Sequence, residues 1–116
     1  MAYRNIALPV KPNGLTSVFQ PPRNQTNNAG YMMDNSKVYR GLRNFAAMLR
    51  ERGDTADAAY YDSFAKNIAT SVMTLFSTTS GAFRMADLST QTETTFYPGT
   101  TCQVFPQVFG VTECAA

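Results

Sequence analysis

The chain has 116 residues, 44% of them hydrophobic and 16% charged, with a net charge of +2 and a pI near 8.7. That length fits one domain able to bury about two thirds of its unfolded surface, and the composition excludes a largely disordered chain. The basic excess is too small for a nucleic-acid or anionic-lipid footprint, which needs clustered Lys and Arg. With no histidine, Ser-His and Cys-His nucleophiles and histidine-based zinc sites are excluded within this sequence.

No apolar run approaches the ~20 residues of a membrane span, and the start, Met1 to Ile6, has no continuous apolar core of a signal peptide. The expectation is a soluble chain with no membrane partner and no export signal as written; its location is otherwise open. Cys102 and Cys114 make neither a disulfide framework nor a metal-site spacing. No metal or cofactor is expected.

Residues 1–30 carry Pro9, Pro12, Pro21 and Pro22, an Asn13-Gly14 pair and an Asn/Gln/Thr-rich run. Each proline biases the residue before it away from the helical region. The segment is predicted as an irregular or extended rim loop, with one short strand near Leu15 to Phe19. Residues 31–116 form the second part.

A first helix is predicted over about 35–52. Asp34, Asn35 and Ser36 offer capping side chains, and Val38, Leu42, Phe45 and Leu49, widened by Ala46, share one face. Arg40, Arg43, Arg50 and Arg52 read as a solvated face. Gly53 sits where a left-handed glycine ends a helix. A second helix, over about 55–76, starts with Asp54 as cap and Asp57 in its first turn. Its apolar row is Ala58, Tyr61, Phe64 with Ala65, Ile68, Val72 and Leu75. So short a link makes the two helices an antiparallel hairpin.

Ser77 to Gly81 reads as a turn, Ala82 to Met85 as a short strand, and Thr92 to Tyr97 as a second strand, giving a small β-excursion over the end of the helices. A third helix is predicted over about 99–109, opened by Pro98. Pro106 should bend or shorten it, and Gly110 should stop it. Val104, Phe105, Val108 and Phe109 give it an apolar patch with no partner in the remaining sequence, a candidate surface for self-association.

Taken in order, Asp34, Asn35, Val38, Tyr39, Gly41 and Leu42, then the hairpin, Gly81-Ala82-Phe83, and Phe96, Tyr97, Pro98, Gln103, Phe105 and Pro106 resemble bacterial six-hairpin glycosidase-like proteins over about residues 30–111. The resemblance implies a mainly α fold, in which a helical hairpin, a third helix and a small β-excursion form a segment of an (α/α)6 toroid. A closed ring of six hairpins needs far more helices than three, so it implies a piece of a larger carbohydrate-active protein, inactive alone, with an oligosaccharide or polysaccharide as partner. The sequence departs from the family pattern at Gly99, where an aspartate is expected, and at Cys102, where an alanine is expected. The first change puts an acid or polar-binding role at position 99 in doubt.

Glycoside hydrolysis generally uses two carboxylates, about 5 Å apart for retention or roughly 6.5–9.5 Å for inversion. Of the eight acids, Glu51, Asp54 and Asp57 lie at the hairpin turn and Asp62 reads as solvated; of the remaining four, which include Glu113 near the C-terminus, Asp34, Asp87 and Glu93 are the acids of interest. Asp34 at a helix start, with aromatic and amide neighbours, is the candidate catalytic residue. Asn35, Tyr39, Tyr97 and Gln103 are the candidate substrate-binding residues, expected to gather with Asp34 on one side. Four of these have a plainer reading: Asp34 and Asn35 as helix caps, Tyr97 as a packed aromatic, Gln103 as a buried, hydrogen-bonded amide. The alternative function is a helical-hairpin repeat module for protein–protein interaction. The absence of a second copy of the hairpin, where stacked ~34-residue repeats need about three units, counts against it.

Overall fold

The structure is a computed structural model that describes residues 6–17, 29–78, 81–88 and 101–111. Helix α1 spans Met32–Glu51 and helix α2 spans Thr55–Met73, joined as the expected antiparallel hairpin. Its turn follows from backbone hydrogen bonding. Gly53 adopts φ 88°, its amide donates to the Arg50 carbonyl, and the Asp54 amide reaches back to the Leu49 carbonyl at 2.9 Å. This paired arrangement satisfies carbonyls that a helix end otherwise leaves open.

The two helices differ at their ends from the sequence expectation. Helix α1 begins three residues earlier than predicted, at Met32, with Tyr31 as its N-cap and no side-chain cap. Asp34, Asn35 and Ser36 therefore lie inside the first turns and not in front of them. The Met32 amide is satisfied instead by the Met85 carbonyl at 2.7 Å, so a neighbouring segment does what a capping side chain was expected to do. Asp54 occupies the N-cap of α2 without a side-chain bond. Helix α2 stops at Met73, before Phe76. The Thr74 hydroxyl donates to the Ser71 carbonyl at 2.6 Å, closing the last turn.

Phe76–Ser77 (β1) and Ala82–Phe83 (β2) pair antiparallel, with Phe76 opposite Phe83 and Ser77 opposite Ala82. The end of the expected second helix, Phe76, thus pairs as a strand with β2, and Gly81, at the end of the predicted turn, has a left-handed φ of 67°. The expected second strand, Thr92 to Tyr97, lies outside the described residues. Helix α3 spans Thr101–Val108 and contains Pro106. Gly110, at φ 76°, follows it as expected.

Helix α3 does have a partner, contrary to the sequence expectation: it packs on α1. The Arg40 guanidinium donates to the Phe109 carbonyl at 2.9 Å, and Lys37 lies 5.6 Å from the Phe105 ring centre. One basic residue thus meets the carbonyl end of α3, where the helix dipole favours it. Pro106 and Val111 are buried beneath. Val104 and Val108 remain exposed on the outer side.

The main core joins Leu15, Met32, Tyr39 and Leu42 to Ala65, Ile68, Ala69, Val72, Leu75, Phe83 and Val111. On α1 the buried positions Met32, Asn35, Tyr39, Leu42, Ala46 and Leu49 advance by threes and fours. The stripe includes Tyr39, whereas Val38 and Phe45 lie at its margin, because α1 is covered on two flanks by α2 and α3. A second cluster, Ala46, Leu49 and Ala58, closes the hairpin tip, with Phe45 and Tyr61 packed against it. Asp62 is not merely solvated, as expected, but accepts from both Arg43, at 2.9 Å, and Arg50.

Glycine chemistry on α1 gives a direct check of this helix. A Cβ at Gly41 meets nothing within 4 Å, whereas Gly53 needs positive φ. Gly41→Ala should stabilise the chain by about 0.5–1 kcal/mol, because a mid-helix glycine loses more backbone freedom on folding. Gly53→Ala should destabilise it by about 1 kcal/mol. Urea denaturation of the two variants, giving opposite shifts in midpoint, is the measurement.

Candidate functional site

The start of α1 is where three separated parts of the chain meet. Residues 9–17 fold into a small hairpin: Val10 bridges Thr16, the Lys11 amide donates to the Leu15 carbonyl, and the Ser17 amide to the Pro9 carbonyl. The Pro12-Asn13-Gly14 stretch makes its turn, with Gly14 at φ 89°, the left-handed residue of a bulged three-residue loop. The segment read as an irregular rim loop is therefore ordered here. Gly30 and Tyr31 pair with Ala86 and Asp87 on the other side: Tyr31 bridges Ala86, and the Asp87 amide donates to the Gly30 carbonyl at 3.2 Å. The approach at Gly30 is close: a Cβ there would lie 3.1 Å from Leu15 Cβ and 3.3 Å from Asp87 Oδ2, so a larger residue would require these neighbours to shift by a few tenths of an ångström.

Asp87 binds these parts together. One carboxylate oxygen accepts from the Gly30 amide at 2.9 Å, and the other accepts from Asn13 Nδ2 at 2.8 Å and from Lys11 Nζ. The Lys11 and Asp87 side chains are only 7% and 10% exposed, so this is a buried ion pair. Burial by itself would raise the Asp87 pKa. The hydrogen bonds from Lys11, Gly30 and Asn13, with the Lys11 charge, outweigh it and hold the carboxyl below its ordinary value. Asp87 is thus fully engaged in holding the fold. Lys11 and Asn13 lie 76 and 74 residues from it in sequence, so no local pattern marked the cluster; a lone lysine in a Pro/Asn-rich segment is the only hint.

Of the candidate sugar-contacting residues, Asp34 is exposed in the first turn of α1, with Tyr31, 37% exposed, at the N-cap before it. Both are exposed at the start of α1, which makes that end of the helix polar and aromatic. Asn35 is fully buried. Its Oδ1 accepts from the Thr16 amide at 2.7 Å and the Thr16 hydroxyl at 3.1 Å, and its Nδ2 donates to the Thr16 carbonyl at 3.0 Å and the Tyr31 carbonyl at 2.9 Å. Tyr39 is 2% exposed, inside the main core, and presents no ring face to solvent.

Gln103 turns its side chain to β2 and not to the rim. Its Oε1 accepts from the Phe83 amide at 2.7 Å, and its Nε2 donates to the Phe83 carbonyl at 2.9 Å. This matches the hydrogen-bonded part of the plainer reading, although the residue is half-buried rather than buried. Tyr97 and Glu93 lie outside the described residues. The structure therefore brings Asp34, Asn35 and Tyr39 onto one helix, but leaves only Asp34 of these open to a ligand.

Among the described residues no group of three or more His, Cys, Asp or Glu is placed to hold a metal ion, and no helix is long and apolar enough to cross a membrane. Comparison with protein-family models, with characterised proteins and with solved structures found no match.

Proposed function

We propose that the chain is a segment of a carbohydrate-active, glycoside hydrolase-like protein of the (α/α)6-toroid kind, that it contacts sugar at the start of α1, and that it does not hydrolyse glycosides by itself. The observation carrying this reading is the return of α3 against α1 after the β1–β2 excursion. Alternate helices become neighbours in this way when hairpins are set side by side. The excursion separates this arrangement from plain stacked repeats.

The rim of Tyr31 and Asp34 supports a sugar as the ligand. An aromatic face covers the C–H surface of a pyranose, and a carboxylate accepts from its hydroxyls. Catalysis is another matter, since it needs a second carboxylate facing the same ring. Asp87, the other described acid near this end, is committed to Lys11, Asn13 and Gly30.

Titrating the 15N-labelled chain with gluco-, xylo- and manno-oligosaccharides tests the reading. Amide shifts should gather at Tyr31 and Asp34 for at least one sugar, with no hydrolysis products. Asp34→Asn should weaken that binding about tenfold, or about 1.4 kcal/mol. A rim that stays silent with every sugar would overturn the proposal, as would shifts that ignore the Asp34 substitution.

A further inference from the structure

Helix α1 carries a second stripe beside the one it turns to the core. Asp34, Val38, Gly41, Phe45, Met48 and Arg52 follow one another at steps of four and three in alternation. That is the 3.5-residue repeat which keeps two helices in contact along a seam. Asp34, Gly41 and Arg52 are exposed, Met48 is 47% exposed, and Val38 and Phe45 are only partly covered by the core. From Asp34 to Arg52 the stripe runs about 27 Å, at 1.5 Å per residue.

The stripe is complementary to its own reverse. Its members lie in pairs equally far from position 43: Asp34 with Arg52, Val38 with Met48, Gly41 with Phe45. Two copies of α1 laid antiparallel about a two-fold axis therefore bring opposite charges together at both ends. The next layer is apolar on both sides, and in the middle a phenyl ring meets a glycine. A Cβ at Gly41 would meet nothing within 4 Å, so the space over that position is open. Phe45 is steadied by Tyr61 of its own hairpin, 4.8 Å between ring centres. A mid-helix glycine costs backbone freedom, and a close approach from outside is what it permits. The flank fits as well. Lys37, Asn44 and Glu51 recur at every seventh position and are exposed, which sets Lys37 opposite Glu51 of the second copy and Asn44 opposite its counterpart. Laid parallel, the same helices would set Asp34 against Asp34 and Arg52 against Arg52.

We propose that this stripe of α1 is a homodimerisation surface, on which a second copy of the chain docks antiparallel. Phe45 of each copy sits over Gly41 of the other, and Asp34 pairs with Arg52 at both ends. The seam is short, so the dimer is a weak one, with a Kd of roughly 10–100 µM. Helix α3, whose Val104 and Val108 the sequence offered for self-association, carries no charged residue to set an orientation. The inference does not depend on the sugar reading. Pairing with Arg52 does take up the Asp34 carboxylate, so a sugar and a second copy compete for it.

Sedimentation equilibrium of the full chain from about 2 to about 500 µM tests the dimer by mass action. Reducing conditions keep disulfides between copies from contributing. The mass should rise from 12.8 kDa toward twice that value. Gly41→Leu fills the space that Phe45 needs while improving the helix, so association should weaken about tenfold with the helical circular dichroism of the dilute chain undiminished. Asp34→Arg alone and Arg52→Asp alone each set like charges together at both ends, and each should associate about tenfold more weakly. An equal mixture of these two variants restores opposite charges at both ends and should recover association to within about threefold of the unmodified chain. Should either charge variant lose its helical signal, the Gly41→Leu result decides. A chain that stays monomeric at the highest concentration would overturn the proposal. So would a dimer indifferent to Gly41→Leu, which would sit on another face, or folded charge variants that associate no better mixed than apart.

Discussion

Replacing Asp87 with alanine should lower the stability of the chain by about 3 kcal/mol at neutral pH, the lower end of the cost of breaking a buried ion pair from one side. The melting temperature of a domain this size should fall by roughly 10 °C. Three donors lose their acceptor together: the Lys11 ammonium, the Asn13 amide and the Gly30 backbone amide. The lysine suffers most, because its side chain is 7% exposed and a buried charge without a partner is costly.

The same carboxylate makes stability depend on pH with a defined sign. Its pKa is lower in the folded chain than in the unfolded one, so the unfolded state takes up a proton first as the solution is acidified. The contribution is fully present above the ordinary carboxylate value near 4 and is lost as pH falls through the lowered folded value. Denaturant titrations from pH 7 to pH 2 should show the wild-type and Asp87→Ala curves converging below about pH 4. A constant gap across that range would mean that Asp87 is not titrating in the manner its surroundings require.

Asn35→Asp should cost about as much, roughly 3 kcal/mol at neutral pH, but with the opposite dependence on acid. The substitution keeps an acceptor for the Thr16 amide and hydroxyl. It also replaces the amide donor with a carboxylate oxygen facing the Thr16 and Tyr31 carbonyls, 3.0 and 2.9 Å from the present nitrogen, in a position with no exposure. Burial and two facing carbonyls both disfavour the charged form, so the new carboxyl takes a raised pKa in the folded state. Its penalty is greatest above that value and shrinks as pH falls through it, because protonation restores one donor. Asn35→Ala, which loses every bond at all pH values, is the control. An Asn35→Asp chain that loses stability on acidification as steeply as wild type would contradict this account of the buried amide.

How much of this was readable in advance depended on distance along the chain. The α1–α2 hairpin was legible because its information is local: two amphipathic rows, and a glycine whose neighbours supply the closing hydrogen bonds. Phe76, the first residue of β1, was misread as helix because it continues the spacing of Val72, and only the Thr74 hydroxyl and the pairing with Phe83 reveal the break. Asp34, Asn35 and Ser36 are ordinary capping types, yet the Met85 carbonyl takes the role of a cap from more than fifty residues away.

The candidate site suffered more from the same cause. Asn35, Tyr39 and Gln103 have the chemistry that sugars favour, but the burial of the first two and the bonds of Gln103 to Phe83 give all three structural roles. Burial here is set by the 9–17 hairpin and by α3, neither adjacent to α1 in sequence. Of the acids, Asp34 kept an open position and Asp87 did not, and nothing within ten residues of either distinguishes them. Asp62, placed in solvent by its helical phase, is held by two arginines of the facing helix, again a matter of pairing across the hairpin.

The pair of hydrogen bonds between Gln103 and Phe83 has a consequence for how copies of the chain behave toward one another. A two-stranded ribbon presents a bare outer border, along which a foreign segment can add itself as a third strand. At Phe83 the glutamine amide already stands where the backbone of such an intruder would sit, donating and accepting as a peptide group does. The guard belongs to α3, so any loosening of that short helix would unseal the border and turn a local rearrangement into a route to sticking.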